Sequence, residues 1–453
     1  MILGGPTKKV LAKLAMPLVF SNIIATLYNL ADGIWLARLS YTEFAATSFT
    51  WPLVFLFISI AIGISIAGTS IISQMIGAND REKATQYANN LIILCLVLGT
   101  FFSILGFSIA PILIKVMGAK GDLLKYSTTY FKVNTLGILV DTMYFGFQAI
   151  LNAQGKTKST TIMGLVSGLL NIILDPVFIF ATIPWTNIPG FNLGVAGAAI
   201  ATILAKIIAV IIGYVKIKQD TSNLVIGGKH FKINRQIIKN LFSMAVPTAI
   251  GRSSAALGFS VMNALIVSYG QEIVAAFSMV NRVTDFWMQI SMGIGAAMTA
   301  MIGQNIGAKQ YLRAKQIKSD AILFAMVTSF IGVVIIIFFH NPLLSIFIDK
   351  TEDPSVYGHA MDYIYYAMAN VPFMALFNIY QSLFQGIGHM KYSMHMSTGR
   401  LWFIRVPLVL LLTKFTSIGT EAIWAPMLIS NVLIVVYAMY IVRSRKLMEV
   451  VNA

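Results

Sequence analysis

The sequence predicts an all-α polytopic membrane protein of twelve transmembrane helices, arranged as two pseudo-symmetric six-helix bundles. Three observations carry that prediction. Only 11% of the 453 residues are charged and 57% are hydrophobic, whereas a soluble domain carries about 25% charged residues. Apolar runs of about 20 residues recur from end to end, each long enough to cross roughly 30 Å of hydrocarbon. The chain also repeats itself. Ala15-Met16-Pro17 matches Ala245-Val246-Pro247, Gly63 matches Gly293, Gly77-Ala78 matches Gly307-Ala308 and Ala84 matches Ala314, all at an offset of 230. Gln148 and Gly155 match Gln381 and Gly388 at an offset of 233.

In chain order the spans are expected near 10–37, 45–75, 86–114, 122–153, 158–182 and 193–216, then 236–268, 273–305, 312–340, 356–387, 391–413 and 419–442. Lys8, Lys9 and Lys13 precede the first run, which continues to about residue 36 with no small-residue cleavage site. An uncleaved first helix is therefore expected, not a signal peptide. Between the sixth and seventh spans lies the most polar long loop, which contains Gly227-Gly228. The chain thus reads as a first lobe over 1–218, a linker over 219–235 and a second lobe over 236–453. An even number of helices per repeat gives both lobes the same orientation, the parallel-repeat plan of some secondary transporters; a rigid receptor or scaffold is the other use of a duplicated bundle. Pro17, Pro52, Pro176, Pro247, Pro372, Pro407 and Pro426 interrupt the helices, and the kinks and freed carbonyls this brings suit moving helices and ion sites.

The net charge of +16 is a topology signal. With both termini and every second loop on one side, that side holds 21 of the 33 basic residues and the other holds 6: Arg38, Lys115, Lys120, Lys125, Lys350 and Lys414. Cytoplasmic loops carry the Lys/Arg excess, so a multi-pass protein of the cell (plasma or inner) membrane is expected, with both termini cytoplasmic. Nucleic-acid binding is not. The lone Cys95 forms no internal disulfide, the five histidines are scattered, and no Gly-rich phosphate loop leads into Lys-Ser or Lys-Thr. Enzymatic chemistry, a cofactor and a catalytic metal are accordingly not expected.

Ten charges inside spans are singled out: Asp32, Asp141, Asp175, Asp285, Lys132, Lys206, Arg252, Arg282, Arg400 and Arg405. Each costs roughly 3 kcal/mol at the bilayer centre, which makes it a functional candidate or one member of a pair. Asp32 sits near the outer end of the outward-running first helix. Asp175 lies about two turns from the outer end of the fifth, and Thr202 about two turns below the outer surface on the sixth. All three reach one depth. Asn171 is i−4 to Asp175 and shares its face, and Pro176 frees the carbonyl of Asn171 or Ile172. Two carboxylates, an amide and a hydroxyl form a hard-oxygen set suited to a proton or an alkali cation. Asp141 either lines the same cavity or neutralises Lys132 or Lys206. Arg282 and Asp285, three apart, suggest a local ion pair. Arg252, Arg400 and Arg405 either favour a substrate with an anionic or amphipathic part, or pair with carbonyls and snorkel to the interfaces.

Several stretches together resemble the multidrug and toxic compound extrusion (MATE) family, in its DinF-like branch: YNLADGIW at 28–35, NIILDPVFIF at 171–180, GVAGAAIAT at 194–202, IGA with following polar residues at 76–80, and LFQGIG at 383–388. The resemblance runs from Pro17 to about Tyr440. It implies a V-shaped pair of bundles that exports amphipathic organic compounds in exchange for H+ or Na+, working in the lipid bilayer as a single chain. It places cation coupling at Asp32, Asn171, Asp175 and Thr202, with Na+, if used, held at the two acids. The helix-4 amide of the family maps onto Gln148, where relatives more often carry Asn. Tyr28, Asp141, Gln148 and Arg282 are assigned to a substrate cavity and Pro17 and Pro176 to hinges. No acid occurs between Ser243 and Ser268, so the second-lobe carboxylate of the NorM-like branch is absent. A flippase for a lipid-linked saccharide or peptidoglycan precursor is the alternative reading.

Overall fold

The computed structural model describes residues 2–219, 224–345 and 353–445. Lys350 and Lys446 of the charge count, and positions 220–223 of the linker, lie outside the described residues. The helices are α1 (Thr7–Ala37), α2 (Tyr41–Gly77), α3 (Arg81–Val116), α4 (Gly121–Leu136 and Ile138–Ala153), α5 (Thr157–Ile179) and α6 (Gly194–Lys218). Then follow α7 (Arg235–Val267), α8 (Gln271–Gly307), α9 (Tyr311–Ser345), α10 (Pro354–Gly386), α11 (Met390–Phe415) and α12 (Glu421–Ser444). Among the described residues the only β-type pairing is an isolated bridge from Thr182 to Pro189 in the loop after α5.

Two of the expected continuous helices are interrupted. The fourth bends by 42° between Leu136 and Ile138. The residue between them, Gly137, permits a close approach: a Cβ there would lie 2.7 Å from Ile203 Cγ1 on α6. The eleventh contains a π turn over Gly399–Arg405, a local underwinding that sequence periodicity does not announce and that recurs at functional sites.

Ten of the helices are long and apolar enough to cross a membrane, and the bent α4 makes eleven. The remaining one, α10, has 33 residues but is too polar for that test. Its amides bond within its lobe: Asn378 Nδ2 donates to Ser291 Oγ (2.8 Å) and Gln385 Nε2 to Ser393 Oγ (3.1 Å). A hydrocarbon-facing helix has no such partners, so α10 has to stand among other helices.

Two compact units make up the chain: Phe20–Ala249 on one hand, and Met1–Val19 with Ile250–Ala453 on the other. Their boundaries fall inside α1 and α7, shortly after Pro17 and Pro247, and not in the 219–235 loop. The repeated residues explain this division. In the first unit, a Cβ on Gly63 of α2 would lie 2.8 Å from the carbonyl oxygen of Ala245 on α7. In the second, a Cβ on Gly293 of α8 would lie 2.8 Å from the amide nitrogen of Val19 on α1. Each repeat's glycine seats the N-terminal part of the other repeat's first helix, and backbones touch where no side chain intervenes.

The other repeated motifs are helix stops. After α2 and α8, Asn79 and Lys309 both take φ of 58°, and the next amides bond back into the helix, Asp80 N to Met75 O and Gln310 N to Asn305 O. Gly155 and Gly388, at φ of 74° and 85°, end α4 and α10 in the same way, with Lys156 N bonding Leu151 O and His389 N bonding Phe384 O. This is the left-handed C-terminal cap that favours glycine.

Candidate cation site

Asp32, Asn171, Asp175 and Thr202 come together in the Phe20–Ala249 unit. Asn171 and Asp175 are buried one turn apart on α5, and Asp175 has no exposed surface. Asn171 Nδ2 donates to Asp175 Oδ1 at 2.9 Å and to Thr202 Oγ1 on α6 at 3.1 Å. The Thr202 hydroxyl in turn donates to the Ala198 carbonyl at 3.1 Å. From α1, the half-buried Asp32 brings its carboxyl into hydrogen-bonding range of Asp175.

The pairing leaves acceptors over. Asp32 Oδ1, Asp175 Oδ2 and Asn171 Oδ1 are each buried without a hydrogen-bond partner. An unmet buried acceptor costs about 1–3 kcal/mol, and this cluster holds three. Such a set calls for a proton or a small hard cation, and the residues present fit either one. Among the described residues no group of three His, Cys, Asp or Glu could hold a metal ion.

An apolar cluster packs beside these residues. Leu36, Ile179, Val195 and Ala198 are buried together, with Trp35, Tyr126, Tyr130 and Phe180 packed against them. Leu36 and Ile179 stand one turn beyond Asp32 and Asp175, and Ala198 one turn before Thr202, so the apolar layer lies directly next to the polar one. Trp35 meets Phe180 edge-on at 6.1 Å, and Arg38 lies 4.6 Å over the Trp185 ring. Tyr130, which no sequence signal marked, lies within electrostatic reach of both acids. Close packing of α5 on α6 holds the register, since a Cβ on Gly197 would fall on the Phe178 carbonyl.

Asp141 resolves to the ion-pair alternative, its Oδ1 bonded to the Lys206 Nζ of α6. Lys132 instead lies 5.1 Å over the Phe107 ring. Tyr28 packs against Gly168, where a Cβ would lie 3.1 Å from its ring, and it feels Lys206, Asp141 and Asp32. Gln148 is half-buried on the second segment of α4. Pro176 is buried beside Asp175, whereas Pro17 belongs to the other unit.

Arg282, in the second unit, is exposed and forms no ion pair with Asp285, contrary to their spacing. Asp285 instead lines a cavity of about 410 Å³ with Arg400 and Arg405. Those two arginines are buried and do not snorkel.

Comparison with known proteins adds to the geometry. The MatE family profile matches residues 17–177 and 247–411. The probable multidrug resistance protein YoeA of Bacillus subtilis is 24% identical over 437 residues, spanning 94% of this chain and 91% of the relative. An FAD transporter of Shewanella oneidensis is 27% identical over 359 residues, spanning 78% and 77%. Among solved structures, an outward-facing multidrug resistance MATE family transporter aligns with a TM-score of 0.90 at 25% identity, over 98% of this chain and 97% of that one.

Proposed function

The chain belongs to the MATE family of multi-pass membrane transporters, and on that premise we propose that it is a secondary active exporter of amphipathic organic compounds, exchanging them for H+ or Na+ at Asp32 and Asp175. The multidrug relatives support drug efflux. The observation that supports the coupling site is that Asp32, Asn171 and Asp175, grouped in one cluster, each keep a buried acceptor oxygen without a hydrogen-bond partner. The basic excess on one side supports a cell-membrane location with cytoplasmic termini.

The exchange follows from charge and packing. A cation arriving from outside binds between Asp32 and Asp175, removes their mutual repulsion and satisfies the open acceptors. The neutral cluster allows α1, α5 and α6 to repack at their outer ends, with Pro17 and Pro176 as the points where helical hydrogen bonding is already interrupted. Repacking weakens the hold on substrate, which leaves outward, and the cation then leaves to the cytoplasm. The leucine, isoleucine, valine and alanine layer keeps water from short-circuiting the acids. The Asp141–Lys206 pair beside Tyr28 offers the cavity a neutralised polar wall.

The test is dye efflux from vesicles in which a pH gradient and a Na+ gradient are imposed one at a time. One gradient is expected to drive efflux by the native protein and neither to drive it in Asp32→Asn or Asp175→Asn at equal expression. Unchanged efflux in both variants removes the coupling assignment.

A further inference from the structure

We propose that the cavity in the second unit is an anion-binding site, which takes an oxyanion (carboxylate, phosphate or sulfonate) carried on an apolar body. It goes beyond the exchange reading, because it lies in the other unit and uses none of the residues at Asp32 and Asp175.

Two buried guanidinium groups form its polar wall. Arg400 and Arg405 are 3% and 4% exposed, and among the described residues neither pairs with a carboxylate. Arg405 donates from Nε to Ser430 Oγ at 2.9 Å, and from one terminal nitrogen to Asn431 Oδ1 at 2.9 Å and the Met427 carbonyl at 3.4 Å. Arg400 donates from one terminal nitrogen to the same Asn431 Oδ1 at 3.3 Å and to Met374 Sδ, while its guanidinium lies 4.4 Å over Phe377. The Arg400 Nε is buried with no partner at all. A guanidinium has five N–H donors and no acceptor, so a single neutral amide serves two cations here and several donors remain free. Asn431 is itself fixed by its Nδ2, which donates to Asn370 Oδ1 at 2.7 Å.

The π turn explains how both charges reach one cavity. In a straight α-helix residues five apart diverge by roughly 140°, but i→i+5 bonding stacks residue i+5 over residue i. Arg400 and Arg405 bracket that turn over Gly399–Arg405. An arrangement that concentrates like charge in an apolar interior is costly unless an opposite charge joins it, and planar guanidinium forks match oxyanions. The one acid on the wall, Asp285, is exposed and bonds neither arginine. Met262, Met288 and Phe277 supply an adaptable apolar lining, and about 410 Å³ suits a drug-sized body.

The experiment is equilibrium binding to the purified full chain in zwitterionic phosphatidylcholine nanodiscs, read by fluorescence anisotropy. The probes are fluorescein and rhodamine 6G, xanthene dyes of opposite charge. Fluorescein is expected to bind at least tenfold more tightly than rhodamine. Arg400→Gln and Arg405→Gln should each weaken fluorescein at least tenfold and leave rhodamine within twofold. Thr284→Trp keeps both arginines and fills the cavity, so it should also abolish fluorescein binding, which covers the case of an arginine variant that does not fold. Equal affinity for the two dyes, or fluorescein binding that survives Thr284→Trp, overturns the proposal. Displacement of fluorescein by phosphatidylglycerol added to the disc, but not by soluble benzenesulfonate, assigns the site to a lipid headgroup and overturns the soluble-ligand assignment. Because the readout is binding and not exchange, failure here leaves the Asp32 and Asp175 reading standing.

Discussion

Replacing Asp175 with Asn separates a coupling role from a structural one, because the two predict opposite changes in stability. Asp175 Oδ2 and Asp32 Oδ1 are both buried without partners, and the two carboxyls lie within interaction range. An amide at 175 removes one charge and offers Asp32 an N–H donor, much as a bound proton would. Buried unmet acceptors cost about 1–3 kcal/mol each, so the variant is expected to gain about that much stability and to melt a few degrees higher. Its transport moves the other way. One charge crossing about 100 mV supplies about 2.3 kcal/mol, and a tenfold gradient of neutral solute costs about 1.4 kcal/mol. A coupled charge therefore sustains an outward substrate gradient of about 50-fold on these figures, and the variant should fall to none. The assay pairs dye accumulation in energised vesicles with thermal unfolding of the purified protein. A variant that unfolds more easily and still concentrates dye would refute the reasoning, since Asp175 would then be a structural acid.

Other consequences are equally direct. Lys206→Met strands Asp141 in a largely buried position and should destabilise by about 3–5 kcal/mol, with most of the loss recovered in Lys206→Met/Asp141→Leu; additive losses in that thermal-unfolding cycle would dissolve the pair. Gly197→Val drives a side chain onto the Phe178 carbonyl and should cost about 1–3 kcal/mol, seen as lower melting in detergent; unaltered melting contradicts the close α5–α6 contact. Ile179→Ala thins the apolar layer beside Asp175, at about 2–5 kcal/mol of stability, and should raise passive ion leak into vesicles without substrate; a leak equal to the native protein's means that the layer is not the barrier. At the turn after α10, burial holds His389 below its ordinary value of 6.5. Its neutral ring contributes stability that is present above pH 6.5 and declines as pH falls below that, because the unfolded chain takes up the proton first. His389→Gln should flatten that acid limb, and an unchanged pH profile of unfolding removes the effect.

The four residues of the candidate cation site were legible in the sequence for one reason. A membrane span has a known rise and direction, so position along the chain converts to depth, and i−4 spacing puts Asn171 beside Asp175. Depth does not set rotation. Whether Asp141 met Lys132 or Lys206 depended on how α4 and α6 turn toward each other, and the bend at Gly137, set by contact with Ile203, entered that choice. Tyr130 carries no sequence signal, since an aromatic residue near a helix end reads as an interface anchor. Arg282 and Asp285 obey the spacing rule for a helical pair, yet Asp285 faces the second cavity and Arg282 does not. The π turn was equally hidden, because Gly399–Arg405 has an ordinary helical composition.

Composition and repetition alone determined that this chain lives in lipid, crosses it many times and repeats one helical plan along its length. The solvent imposes those features, since hydrocarbon sorts residues by polarity and length. Tertiary structure decided which polar groups meet. In lipid an apolar helix face gains little by turning one way or the other, so rotation is set by contacts between small residues, such as Gly63 on Ala245 and Gly197 on Phe178. Those contacts bring Asp32 to Asp175 in one unit and leave Arg400 and Arg405 without a carboxylate in the other.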